Sequence, residues 1–202
     1  MTFISRGFGG RRRVPEELAS RVPPGQYIEP GFPVLTVGPS PRVNTARWTF
    51  RIDGMVAERR QWTWDEFHEL PFETVPCDIH CVTKWSKLDT RFRGVSLDTL
   101  LEQAEPLGGY AMALSEGGYT SNLPIEDLTD GKAWVVTEHE GEPLPREHGG
   151  PVRLLVPHLY FWKSAKWVVG LRVMDHDEPG FWEQNGYHNR GDPWKEERYW
   201  ND

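Results

Sequence analysis

The sequence predicts an α+β domain, with mixed sheets and a few short helices, and three observations carry that expectation. Its strand-like runs are short and are interleaved with short helix signals rather than alternating strictly with long ones, which argues against a doubly wound parallel sheet. The 202 residues suit one large domain but not two sizeable cores. No phosphate loop stands in its proper context: Gly7-Phe8-Gly9-Gly10 follows no strand and opens no apolar helix.

The elements follow in order. Residues 1–30 are rich in Arg, Gly and Pro and read as an arm wrapped on the main domain, or partly disordered, with the main domain at 31–202. Within the arm, Pro15 ahead of Glu16 and Glu17 signals a short helix to Arg21. Trp48 to Ile52 alternates as a strand, Asp53-Gly54 marks a turn, and Met55 to Ala57 starts the partner strand. Thr63 caps a helix opening at Trp64. Thr74 to Ile79 is a strand leading to the cysteines, and Ser96 caps a second helix whose apolar face is Leu97, Leu100 and Leu101. Tyr110 to Leu114 is a strand and Ile125 to Leu128 a short helix. Ala133 to Thr137, Val152 to Val156 and Lys166 to Val173 are β-branched strands. From Asp175 the chain is loop-rich and aromatic.

Composition narrows the function classes. Hydrophobic residues at 38% and charged residues at 26% describe an ordinary folded chain. A net charge of −7 offers no overall field for nucleic acid or an anionic membrane, and Arg11, Arg12 and Arg13 read as a solvated tail. No apolar run approaches the roughly 18–20 residues of a membrane span. Nor does an apolar stretch follow the basic start, as a signal would need, so the complete chain is expected to be cytoplasmic. Cys77 and Cys81 are spaced awkwardly for a structural disulfide and suit reduced thiols.

Two constellations bear chemistry. In Cys77-Asp78-Ile79-His80-Cys81-Val82-Thr83-Lys84-Trp85-Ser86, a thiol at a strand end beside a polar turn with Lys84 is placed to ionise, and a lone thiolate suits a soft metal. On spacing alone an inert buried thiol is the more economical reading. Cys77, His80 and Cys81 could also serve zinc with another histidine, although the second ligand pair of a structural zinc site is missing. The other constellation is His148, Arg153, Lys163, Ser164 and Lys166. Guanidinium, ammonium and hydroxyl groups are what a phosphate needs, and adjacent strand ends would gather them; taken singly, each reads as a solvated strand end.

Cys81-Val82-Thr83-Lys84-Trp85-Ser86 resembles the Cys-Val-x-x-Trp-Ser motif of bacterial molybdopterin oxidoreductases related to the methionine sulfoxide reductase catalytic subunit. Gly141 to Leu154, Val156-Pro157, Lys163 to Trp167, and Tyr119 to Pro124 are similar to segments of the sulfite oxidase superfamily. The resemblance implies the sulfite oxidase fold over 31–202, binding a molybdenum–molybdopterin cofactor with Cys81 as the protein's metal ligand. It implies an oxidoreductase moving an oxygen atom and two electrons on a small S- or N-oxide or oxyanion. His148, Arg153, Ser164 and Lys166 match positions holding the pterin and its phosphate, with Lys163 and His158 added by neighbourhood. Thr83, Trp85, Tyr119, Ser121, Tyr160 and Trp162 are the expected pocket wall, with Tyr160 as a catalytic hydrogen-bond donor. Cys77 matches no ligand and is expected to be structural. The partners expected are a small-molecule substrate and an electron-transfer partner of unspecified kind, with the chain a monomer. The family's C-terminal immunoglobulin-like domain and a c-type haem signature are both expected to be missing. Thr83-Lys84-Trp85 is more apolar than the basic stretch of sulfite oxidases, which argues against sulfite. A carrier module without turnover and a zinc-stabilised binding protein are the alternatives.

Overall fold

A computed structural model of the chain describes residues 14–202; the expectations for Gly7 to Gly10 and Arg11 to Arg13 lie outside them. The elements in order are β1 (Tyr27–Ile28), β2 (Thr49–Gly54), β3 (Arg60–Thr63), α1 (Trp64–His68), β4 (Phe72–His80), β5 (Trp85–Ser96), α2 (Leu97–Ala104), β6 (Tyr110–Ser115), β7 (Thr120–Pro124), β8 (Trp134–His139), β9 (Glu142–Pro143), β10 (Arg153–Leu155), β11 (Val168–Met174) and α3 (Phe181–Gln184). Short 3-10 turns fill several connections, one of them at Glu16–Arg21 behind Pro15.

The strands form two mixed sheets, as expected of an α+β domain. One runs β1-β5-β8-β10, with β4 also on β5 and β9 on β8; the other runs β3-β2-β11-β6-β7. Most pairs are antiparallel, but β1 lies parallel to β5 and β2 parallel to β11. Along β8 and β10 the larger sheet is buried on both faces. Val135 of β8 and Leu154 of β10 face the main core with Phe50, Leu100 and Leu171, while their neighbours Val136 and Leu155 face a second cluster holding Val75, Ile79, Cys81, Trp85 and Phe161. Strand alternation is the cause: successive side chains leave a strand on opposite sides. The second cluster is the floor of the site described below.

Local signals explain the helices. Thr63 and Glu66 form a full capping box on α1, and the Ser96 hydroxyl accepts from Asp98 N at 3.2 Å to cap α2. β1, β7, β9 and α3 had no counterpart in the sequence reading, and two further differences shape the sheets. The partner of β2 is Arg60–Thr63 rather than Met55 to Ala57, where Val56 makes only an isolated bridge to Pro106. The longest strand, β5, was expected only as a polar turn followed by a helix lead. Its Arg91 and Arg93 face solvent while Thr90, Phe92 and Gly94 are buried, so the alternation is hidden under charged residues. Gly94 is required there, because a Cβ would lie 2.1 Å from the Val135 carbonyl oxygen.

Candidate active site

A cavity of about 340 Å³ opens beside the Cys81–Lys84 turn. β4 ends at His80, and Cys81 follows with its backbone closed by Cys81 N donating to Trp85 O at 2.9 Å and Lys84 N to Cys81 O at 2.9 Å. Lys84 takes φ 78°, so the chain reverses tightly into β5. Cys81 is 7% exposed and its Sγ accepts from the Thr83 hydroxyl at 3.1 Å. Burial pushes its pKa up, opposed by the Thr83 hydroxyl, by backbone N–H groups and by the charge of Arg198.

The cations come from a different part of the chain. Arg153 of β10 and Lys166 face each other across an isolated antiparallel bridge, which sends both side chains to one side. Gly149, at φ 102°, lets the turn after His148 pack close against both residues, since a Cβ there would lie 3.0 Å from Lys166 Cβ and 3.1 Å from Arg153 Cβ. His148 therefore joins them, its ring stacked on Phe32 at 3.9 Å. Arg153 is 1% exposed, donates to the His148 and Ser164 carbonyls at 2.7 Å each, and lies 4.1 Å over Phe161. Lys166 donates to the Leu35 and Glu147 carbonyls. Among the described residues neither cation makes an ion pair; their donors end on backbone dipoles.

Electrostatics registers the crowding. Burial, then the neighbouring Arg153 and Lys166, holds His148 down to about 4. Burial and Arg153 bring Lys166 down to about 8, and burial brings Arg153 down to about 9, leaving it charged at neutral pH. A buried cation without a carboxylate is costly unless an anion is delivered to it. The wall thus fits a phosphate, and the sulfur on the same cavity fits a soft metal. A pterin phosphate and a thiolate-bound molybdenum match this donor set. Ser164, whose Oγ accepts from Val156 N at 2.9 Å, still has a proton to offer the same anion.

The structure brings most of the expected residues together and separates the others. Cys81, Thr83, His148, Arg153, Ser164 and Lys166 line one cavity, with Trp85, Tyr119 and Trp162 in its wall. Lys163 does not line it. The 3-10 turn Phe161–Lys163 points Trp162 inward and Lys163 away, where it is fully buried and pairs with Glu183 at 2.6 Å and with Asn122. Ser121 is buried in β7 behind the wall. Tyr160 is buried with its ring under Arg198 at 5.0 Å, and its hydroxyl makes no hydrogen bond among the described residues. His158 pairs with Asp127 at 3.1 Å. Cys77 lies in the β4–β5 ladder opposite Thr90, off the cavity, and burial pushes it up to about 12. Among the described residues no three His, Cys, Asp or Glu side chains converge, so the proposed zinc set of Cys77, His80 and Cys81 is not assembled. His80 instead hydrogen-bonds Ser86 Oγ at 2.8 Å.

Sequence reasoning missed Phe32 and the strap behind it to Val37, which cover the cavity, and Trp182 and Tyr187, which complete its aromatic wall. The signal for the last two was the density of aromatic residues after Asp175 in a segment otherwise rich in turns.

Comparison with known proteins agrees with this chemistry. A family model described as an oxidoreductase molybdopterin binding domain matches residues 37–182. The chain is 40% identical over 195 residues to an uncharacterised oxidoreductase, YuiH, of Bacillus subtilis, covering 95% of this chain and 98% of that one. It is 26% identical over 147 residues to a putative protein-methionine-sulfoxide reductase subunit, YedZ1, of Azospira oryzae, covering 72% of this chain and 56% of that one. It is 27% identical over 155 residues to the protein-methionine-sulfoxide reductase catalytic subunit MsrP of Gluconobacter oxydans, covering 67% of this chain and 49% of that one. The match thus spans about half the length of the latter two. Among solved structures, the sulfane dehydrogenase SoxCD from Paracoccus pantotrophus aligns with a TM-score of 0.61 at 22% identity, over 68% of this chain and 40% of that one, a likeness of fold. The chain therefore belongs to the oxidoreductase molybdopterin-binding domain family, and is a molybdenum-dependent oxidoreductase of the sulfite oxidase type that binds molybdenum–molybdopterin.

Proposed function

We propose that this enzyme transfers an oxygen atom and two electrons on a small S-oxide or a similar oxide, with Cys81 as the protein's ligand to molybdenum. One observation carries the reading: the Cys81 sulfur, the buried Arg153 and the half-buried Lys166, neither cation ion-paired among the described residues, face the same cavity. The likeness to methionine-sulfoxide reductase subunits supports the substrate class.

The bound cofactor supplies the two-electron redox chemistry. Arg153, Lys166, His148 and Ser164 would hold its phosphate. The Thr83 hydroxyl, donating to the sulfur, draws electron density from the ligand and fixes its direction. Trp162, Trp182 and Tyr187 form a wall that excludes water and offers ring faces and edges to a polarisable sulfur. Two phenols line the cavity, and Tyr119 gives its proton to the Trp162 carbonyl at 2.7 Å. The donor left for a substrate oxygen is Tyr187, which burial pushes above its ordinary pKa, so that it keeps its proton. No helix among the described residues is long and apolar enough to cross a membrane. With Cys81 on the metal, Cys77 is left as a free thiol, which suits a reducing compartment such as the cytoplasm.

The test uses protein made in a host competent for molybdenum cofactor synthesis. Molybdenum and pterin are measured per chain, and turnover of methyl sulfoxides, N-oxides and sulfite is followed with artificial electron donors and acceptors. About one molybdenum per chain and turnover of a sulfoxide are expected. Full cofactor loading without turnover on any of these compounds would instead indicate a carrier.

A further inference from the structure

The turn that aims the Cys81 sulfur is held from outside the span of the family match, 37–182. Gln26 Nε2 donates to the Cys81 carbonyl at 3.1 Å, and Tyr27 N to the Lys84 carbonyl at 2.9 Å. Arg198 Nη1 donates to the Val82 carbonyl at 2.9 Å. Three of the four carbonyls from residue 81 to 84 are thus gripped by the two ends of the described chain. Lys84 sits in the left-handed region, a conformation that is costly for a side-chain-bearing residue and persists only where neighbours impose it.

Arg198 is the hub of this grip. Its side chain is 8% exposed, its second nitrogen reaches the Pro24 carbonyl at 3.4 Å, and its plane lies over Tyr160. Its only carboxylate partner among the described residues, Glu196, is 3.6 Å away and half exposed. The backbone of Arg198 is itself pinned: its amide donates to Asp202 Oδ2 at 2.9 Å and its carbonyl accepts from His188 N at 3.1 Å. The arm comes close enough that a Cβ on Gly25 would lie 2.8 Å from Glu196 Oε1. A cross-link between chain ends has no need of a buried guanidinium directed at the carbonyl next to Cys81.

We propose that Arg198 is a positioning residue of the redox centre, fixing the Cys81 turn, and so the direction of the sulfur, from the C-terminal segment with Gln26 as its counterpart on the arm. The inference rests on the reading of Cys81 as the metal ligand. It is tested on cofactor-loaded wild type, Arg198→Met, Arg198→Lys and Gln26→Leu, by molybdenum content, by the Mo(V) electron paramagnetic resonance spectrum of partly reduced protein, and by steady-state kinetics on a sulfoxide. At matched loading, Arg198→Met should change the spectrum and lower kcat about 10- to 100-fold, with KM held within about threefold. Arg198→Lys should recover only part, because an ammonium cannot reproduce the two-carbonyl fork. A wild-type spectrum and kcat in Arg198→Met overturns the proposal. Should that variant fail to fold, Arg198→Lys and Gln26→Leu decide: an altered spectrum in them supports it, and unchanged spectra in both overturn it. A wild-type protein that binds no molybdenum, or whose spectrum is untouched by Cys81→Ser, brings down the Cys81 reading itself and this inference with it.

Discussion

Arg153→Met separates the phosphate wall from the fold that carries it. Methionine keeps most of the apolar stem and deletes the charged guanidinium that lies over Phe161. In protein without cofactor two effects oppose. The His148 and Ser164 carbonyls lose their 2.7 Å donors, at about 1–3 kcal/mol each if left unpaired. Against that, a buried cation lacking an ion pair is removed, which relieves several kcal/mol. The net change in stability should be within about 2 kcal/mol of zero. In the loaded protein only a loss remains: a charge-assisted contact to phosphate of about 1.5–3 kcal/mol. That predicts cofactor retention weakened about 10- to 150-fold. Urea unfolding of cofactor-free protein measures the first quantity; molybdenum and pterin remaining after extended dialysis measure the second. Undiminished retention in Arg153→Met, with Lys166 and His148 intact, would mean that the cations do not hold the cofactor.

Cys81→Ser should abolish turnover with little change in unfolding midpoint, because oxygen is a poor soft-metal donor, whereas Cys77→Ser should retain activity; equal losses in assay would show that the wrong thiol was assigned. Tyr187→Phe should lower kcat about 10-fold or more, and Tyr160→Phe should leave it near wild type, since the Tyr160 hydroxyl lies off the cavity; the reverse order in a kinetic comparison would restore Tyr160 as the donor. The folded protein holds His148 at about 4 against an ordinary 6.5. As pH falls through that window the unfolded chain takes up a proton that the folded one refuses, so cofactor-free protein should lose stability from about 6.5 down to 4. Urea midpoints at pH 7 and 5 should differ less in His148→Gln than in wild type, and an identical difference would remove His148 as the cause.

What the sequence disclosed depended on the range over which each signal acts. Thr63 with Glu66, Ser96 with Asp98, and the alternation from Trp48 to Ile52 are written within a few residues, and each formed as expected. β5 was obscured because its exposed face is charged and its buried face includes Thr90 and Gly94, neither of which marks a strand. In the site, Arg153 and Lys166 were legible because both flank β-branched runs, and the bridge between them placed them as expected. Lys163 was misplaced because residues within one tight turn point in different directions, and the carboxylate that claims it, Glu183, lies in a later segment of the chain. Tyr187, Gln26 and Arg198 reach the cavity or its cysteine turn only through tertiary folding, and no local pattern marks them.

Along β8 and β10 the larger sheet is a partition with no idle side. Val135 and Val136 are consecutive, yet one packs the main core and the other the floor beneath Cys81. A bulkier residue at Val135 would press on the strand from behind, and close-packed interiors pass such displacements on rather than absorbing them. Attempts to toughen this protein by refilling its main core should therefore be read by redox rate as well as by melting temperature.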